Sequence, residues 1–188
     1  MVARAEAAAA TRERIVDAAV DAFWESPGQV SLEEVARRAG VSTQTVIRRF
    51  GGRDGLLAAA GERETARVSA QRAQAPVGDV AGAVQVLAQH YEEIGDRVLK
   101  MLGEEGRVPV LREIADRGRV LHRRWCERVF APALHGLSGI DRRRRLGQLV
   151  AICDVHTWKL LRRDAGLSRR QTELAMVELL EPMLKGSR

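Results

Sequence analysis

The 188-residue chain predicts an all-α fold on three observations. Apolar residues recur three and four apart through nearly every segment, no run alternates β-branched or aromatic residues with polar ones, and Gly and Pro collect between the periodic segments. Thr11 is expected to cap a first helix that carries Ile15, Ala18, Ala19, Ala22 and Phe23 on one face, with Ser26-Pro27-Gly28 as its stop. Ser31-Leu32-Glu33-Glu34 then has the spacing of a capping box, in which the serine oxygen accepts from the third amide and Glu34 reaches back to the cap. That second helix ends at Gly40. Ser42 caps a third helix, whose inner side is Val46 and Phe50, and Gly51-Gly52 breaks it. A fourth helix begins near Arg53 and runs through Leu56, Leu57 and Ala60 towards Ala75-Pro76.

The second part of the chain repeats the pattern with longer helices. Val80, Val84, Leu87, Tyr91, Ile94, Val98 and Met101 form one unbroken helical stripe. Gly103 to Pro109 interrupts it, a short helix holds Leu111 and Ile114, and a further helix is expected from about Gly118 to Leu134 through Leu121, Trp125 and Val129. After a loop at Gly136 to Gly139, two last helices are expected over roughly 141–164 and 168–185, apolar on more than one side.

Composition excludes several classes. With 45% hydrophobic and 30% charged residues the chain is neither disordered nor collagen-like. It has no apolar run of signal-peptide or membrane-span length, so a cytoplasmic protein with no membrane partner is expected. Cys126 and Cys153 lack metal-site spacing and read as small buried hydrophobes, so neither a metal nor a disulfide is expected. His90, His122 and His156 come with no HExxH sequence, paired carboxylates or nucleophile elbow; no catalytic residue, no cofactor and no enzyme activity is assigned. The net charge of +6 suggests a polyanionic partner, but residues 1–65 carry nine arginines against ten carboxylates, so any DNA contact there depends on clustering Arg37, Arg38, Arg48, Arg49 and Arg53 on one side. The run Arg142 to Arg145 reads as a solvated helix start.

The informative segment is LEEVARRAGVSTQTVIRRFGGRDGLL, residues 32–57. Ala36 lets two helices cross closely, Gly40 supplies a positive-φ turn, and Val46 plugs the angle between them, which together specify a helix-turn-helix. In that geometry Thr43, Gln44, Ile47 and Arg48 face the major groove: Gln44 suits adenine, Arg48 suits guanine, and Ile47 or the Thr43 methyl suits a thymine methyl. Ser31, Ser42, Thr45, Arg49 and Arg53 are assigned to the phosphate backbone.

The pattern Ile15-x-x-Ala18-Ala19-x-x-x-Phe23, then Val35-Ala36-x-x-Ala39-Gly40-Val41-Ser42, then Phe50-x-x-Arg53-Asp54-x-Leu56 resembles the TetR/AcrR family of transcriptional regulators. It departs from the family at Ile47, where Tyr is common, at Arg49, where His is common, and at Arg53, where Lys is common. The resemblance implies a disordered arm over 1–10, a helix-turn-helix domain over 11–55, and a helical ligand-binding and dimerisation domain over 56–188. It implies double-stranded operator DNA, a second copy of the chain and a small-molecule effector as partners, with a homodimeric repressor released from a palindromic operator by a largely hydrophobic ligand. A DNA-binding module without such a ligand, constitutive or controlled by a protein partner, stays open beside it. By the same resemblance the pocket candidates are His90, Tyr91, Ile94, Leu121, Trp125, Cys126 and His156. The dimer-interface candidates are Leu149, Cys153, Val155, Trp158, Leu161, Met176, Leu180 and Met183. Tyr91 and Trp125 are expected to bracket an apolar cavity, and His122 to be exposed.

Overall fold

The structure, a computed structural model, describes residues 2–185, with side chains described for 5–184. Among these residues it is helical, with no strand. The helices are α1 (Val2–Glu25), α2 (Leu32–Ala39), α3 (Thr43–Phe50), α4 (Arg53–Ala73), α5 (Val80–Glu104), α6 (Pro109–Val129), α7 (Ala131–Leu134), α8 (Gly139–Ile152), α9 (Val155–Lys159) and α10 (Arg169–Lys185). A 3₁₀ turn at Pro27–Gln29 follows α1, and a π-helical turn at Leu160–Asp164 extends α9. No helix among the described residues is long and apolar enough to cross a membrane.

The chain divides into two compact units, Met1–Arg67 with Lys100–Asp116, and Val68–Leu99 with Arg117–Arg188. In the first, Ile15, Ala19 and Phe23 of α1, Val35 and Ala36 of α2, Val46 of α3 and Leu56 and Leu57 of α4 close one core, to which Met101, Leu111 and Ile114 also belong. This unit therefore takes in residues that the sequence assigns to the second domain. α1 starts at Val2, so residues 2–10 are helix where a disordered arm is expected, and Thr11 is no cap: its hydroxyl donates back to Ala7 O at 2.8 Å.

In the second unit two expected boundaries move. α6 runs through Gly118 without a break, so the short helix and its successor are one. The helix expected over 141–164 is broken at Cys153–Asp154, where Asp154 turns extended and caps α9 by accepting from His156 N at 2.9 Å. The break explains the doubled apolar faces. α8 directs Leu146, Leu149 and Cys153 inward, and α9, re-aimed by the turn, directs Val155 and Trp158 inward as well. Met176 and Leu180 of α10 complete that interior. The interface assignment of Leu149, Cys153, Val155, Trp158, Met176 and Leu180 is therefore corrected: they are core of a single chain, while Leu161 and Met183 are half-buried. The arginine run is consumed locally, with Arg142 paired to Glu127, Arg144 to Asp141 and Arg145 bonded to Met183 O.

Trp158 anchors the unit. Fully buried, it lies 5.8 Å from the Tyr91 ring, under the Arg163 guanidinium at 4.6 Å, and against Gly95, where any Cβ would come within 2.6 Å of its ring. Its indole nitrogen donates to Glu92 Oε1 at 3.3 Å, a carboxylate that also pairs with Arg162 at 2.8 Å. Trp158→Ala should lower stability by about 3–5 kcal/mol through the cavity it leaves. Urea unfolding checks this, and a wild-type midpoint with a folded monomer would instead return Trp158 to an interface.

Candidate nucleic-acid interface

α2 and α3 are each eight residues, too short to be stable alone, so their ends and their packing must hold them. Ser31 Oγ accepts from Glu34 N at 3.1 Å and Ser42 Oγ accepts from Thr45 N at 3.2 Å. At the other ends Gly40 and Gly51 adopt φ of 65° and 76°, a region that glycine enters without the Cβ penalty, and their amides return to Ala36 O and Ile47 O. Only half of the expected capping box forms. Glu34 turns its carboxylate to Arg37 and Arg38, whose hydrogen bonds hold it down to about 2, in place of reaching back to Ser31.

The two short helices meet over the fully buried Val46 and Ala36. α3 consequently turns one side inward and presents Gln44, Ile47 and Arg48 to solvent, Ile47 with 38% of its surface exposed, while Thr43 and Thr45 are half-buried. Gln44 and Arg48 are one turn apart on the same side of α3, and neither has a hydrogen-bond or ion-pair partner among the described residues.

The neighbouring arginines differ from Arg48 in being engaged. Arg37 pairs with Glu34, Arg38 with Glu25 at 2.7 Å and Glu34 at 2.6 Å, and Arg49 donates to Ala8 O at 3.1 Å. Arg53 is held most firmly. Its guanidinium donates to Val30 O and Gly28 O, both at 2.8 Å, and so ties the start of α4 to the 3₁₀ turn. Ser31, Ser42 and Thr45, assigned to phosphates, have their oxygens in caps, with Ser42 and Thr45 hydroxyls 2.9 Å apart. The Ser31 O–H can still donate outward, as can one of the Ser42 and Thr45 hydroxyls, the other donating to its neighbour.

The second unit places the pocket candidates differently from the sequence reading. His90, Tyr91, Ile94, Trp125 and Cys126 are buried and Leu121 is half-buried, but His156 is exposed and pairs with Asp154 at 2.7 Å, because the break before α9 turns it outward. His122, expected at the surface, is buried: its Nε2 faces Val150 O at 3.2 Å. The space between Tyr91 and Trp125 is filled. Arg72 lies between them, its guanidinium carbon 5.6 Å from one ring centre and 5.7 Å from the other, so the expected apolar cavity is replaced there by a cation. Arg72 was not among the candidate residues. The signal was available, since Leu57, Ala60, Glu64, Val68, Arg72 and Ala75 share one helical face.

A cored pair of capped helices, with Gln44 and Arg48 exposed on its second member, has the arrangement of a helix-turn-helix. Residues 15–60 match the family described as bacterial regulatory proteins, tetR family. Over that segment the chain is similar to the tetR-family regulatory proteins. Solved structures extend the likeness of fold over most of its length. A transcriptional regulator from Rhodococcus sp. Rha1 is 23% identical with a TM-score of 0.69, covering 93% of this chain and 96% of its own. A tetR-family transcriptional regulator from Streptomyces coelicolor is 18% identical with a TM-score of 0.65, covering 94% and 83%. The fatty acid degradation regulator FadR from Bacillus halodurans is 17% identical with a TM-score of 0.57, covering 94% and 100%. No curated protein matches the chain.

The different engagement of Arg48 and Arg53 separates their effects. Arg48→Ala should leave thermal stability unchanged and cost about 1–3 kcal/mol of specific DNA affinity, with relaxed preference at one base pair per site. Arg53→Ala should lower stability by about 1–3 kcal/mol, since two carbonyls lose charge-assisted donors. Calorimetry beside fluorescence-anisotropy titration reads both. An Arg53→Ala protein of full stability would return Arg53 to a purely DNA-facing role.

Proposed function

We propose that the protein is a homodimeric cytoplasmic repressor that binds a palindromic operator and leaves it when a small molecule occupies its second unit. The observation that supports DNA reading by this chain is the exposed, unengaged Gln44 and Arg48 pair on α3. On this reading Gln44 takes adenine, Arg48 takes guanine, Ile47 and Thr43 meet thymine methyls, and Ser31, Ser42, Thr45, Arg49 and Arg53 lie along phosphates.

Dimerisation is supported by apolar surface that the last helices leave outside. With the earlier candidates buried, the exposed apolar groups are Leu160 in the π turn, 59% exposed, and Leu174 and Leu179 of α10, 56% and 48% exposed. A two-fold protein is also what an inverted-repeat site demands, with half-sites about one helical turn, roughly 34–36 Å, or a multiple of it apart. A second reading, a DNA-binding module without a small-molecule ligand, is favoured by one observation: Arg72 fills the slot between Tyr91 and Trp125.

Selection from random-sequence DNA should enrich an inverted repeat, and sedimentation at micromolar concentration should give a dimer. Leu174→Glu combined with Leu179→Glu should give a folded monomer that loses the inverted repeat and keeps only weak half-site binding. A monomeric wild type, or enrichment of a single asymmetric site, would overturn the dimer.

A further inference from the structure

Cys126 of α6 and Cys153 at the C-terminal end of α8 are far apart in sequence, yet the second unit brings their side chains together. Both are buried free thiols, and they interact directly, the Cys153 S–H acting as donor to the Cys126 sulfur. Two thiols in contact inside one chain can join to each other without meeting a second protein molecule.

A line of donors ends on Cys126. Arg72 Nη1 donates to His122 Nδ1 at 2.9 Å, so Nδ1 is the unprotonated ring nitrogen and Nε2 carries the proton. That N–H is shared between Val150 O at 3.2 Å and Cys126 Sγ at 3.8 Å. Arg72 is itself held, its Nη2 donating to the Tyr91 hydroxyl at 3.2 Å and its guanidinium flanked by the Tyr91 and Trp125 rings. The Tyr91 hydroxyl donates in turn to Cys153 O at 2.9 Å, so the same array fixes the backbone of the second cysteine. The Cys153 thiol, the His122 N–H and the Arg72 charge together outweigh burial and hold the Cys126 thiol below the ordinary thiol range; the interaction with Cys126 and burial push Cys153 well up. The two sulfurs are therefore unlike, one kept as a nucleophile and the other keeping its proton.

We propose that Cys126 and Cys153 are a thiol pair that reacts with small hydroperoxides, Cys126 attacking, Cys153 resolving, and His122 positioning the attacking sulfur. The Cys126 sulfur takes the distal oxygen of the hydroperoxide: the S–O bond forms, the O–O bond breaks, and the departing hydroxide or alkoxide takes up the proton that Cys126 gave up. The Cys153 sulfur then attacks the sulfenic acid: the S–S bond forms, the S–O bond breaks, and the oxygen leaves as water with the Cys153 proton. Two thiols are oxidised to one disulfide and one hydroperoxide is reduced. Burial limits the reagent by size. Ala151 and His156, on either side of the break between α8 and α9, are exposed, and local opening of that turn admits a peroxide but not a peptide disulfide. This chemistry goes beyond the operator reading and holds whether or not the second unit takes a small-molecule ligand.

The test treats the full, reduced chain with hydrogen peroxide under native conditions. Both thiols and the mass of two hydrogens should be lost without linking of chains, and peptide mapping should return a Cys126–Cys153 disulfide that dithiothreitol reverses. Cys153→Ser should stop at a sulfenic acid on Cys126, labelled by dimedone, whereas Cys126→Ser should leave Cys153 unlabelled. His122→Phe, which keeps a ring and loses the N–H, should slow oxidation about tenfold or more and move the pH profile of the rate upward, a shift that packing alone does not produce. His122→Gln, whose amide offers an N–H near the place of Nε2, should recover much of the wild-type rate and serves if His122→Phe does not fold. Retention of both thiols at peroxide concentrations that oxidise free cysteine, disulfides between chains in place of the internal one, or equal labelling of the two single-cysteine variants would overturn the pair. An unshifted pH profile in folded His122→Phe would overturn the positioning role.

Discussion

Everything in the first unit depends on how two eight-residue helices are kept helical. An isolated segment of that length forms a costly nucleus with few backbone hydrogen bonds to repay it. Here both starts are closed by a serine oxygen that takes up one otherwise orphaned amide, and both ends by a glycine with positive φ whose amide returns to a carbonyl of the last turn, all between residues 31 and 51. With the ends fixed, Val46 and Ala36 set the crossing, and the crossing decides which α3 side chains look outward. The presentation of Gln44 and Arg48 is thus a consequence of the capping and of one small core contact, and it precedes any encounter with DNA.

The arginines around this motif show how the same residue type divides between fold and function. Arg53 links the start of α4 to two loop carbonyls, and Arg37 and Arg38 gather Glu34 and Glu25. These interactions spend most of the donor capacity of three arginines on the fold. Arg48 alone of the five arginines clustered in sequence has no protein partner among the described residues, which distinguishes it where charge counting does not.

Much of this was legible in the sequence, for physical reasons that differ by region. Ser31, Gly40, Ser42 and Gly51 act on their nearest neighbours, so their spacing alone carries α2 and α3. The second unit was less legible because its outcome turns on long-range contacts. Asp154 sits in an apolar run that reads as one helix, yet it caps a new one, and that single turn converts Leu149, Cys153 and Trp158 from a supposed second face into core. His156 moves to the surface through the same turn. His122 was misplaced because Arg123 and Arg124 beside it suggested solvent, while its true partner, Arg72, lies fifty residues earlier. Arg72 itself continues the face of Leu57, Ala60 and Val68 and was not singled out from the sequence.

The internal use of charge in the first unit bears on how this protein moves through a genome. Binding to random duplex is driven by release of the ions condensed on phosphates, one for each cation that replaces them. Although the whole chain carries +6, the stretch holding α3 has nine arginines for ten carboxylates, and Arg12, Arg37, Arg38, Arg53 and Arg63 are each already paired with a carboxylate. Few ions are displaced when such a surface meets arbitrary DNA. On the proposed reading, binding to arbitrary duplex should therefore be weak and its salt dependence shallow.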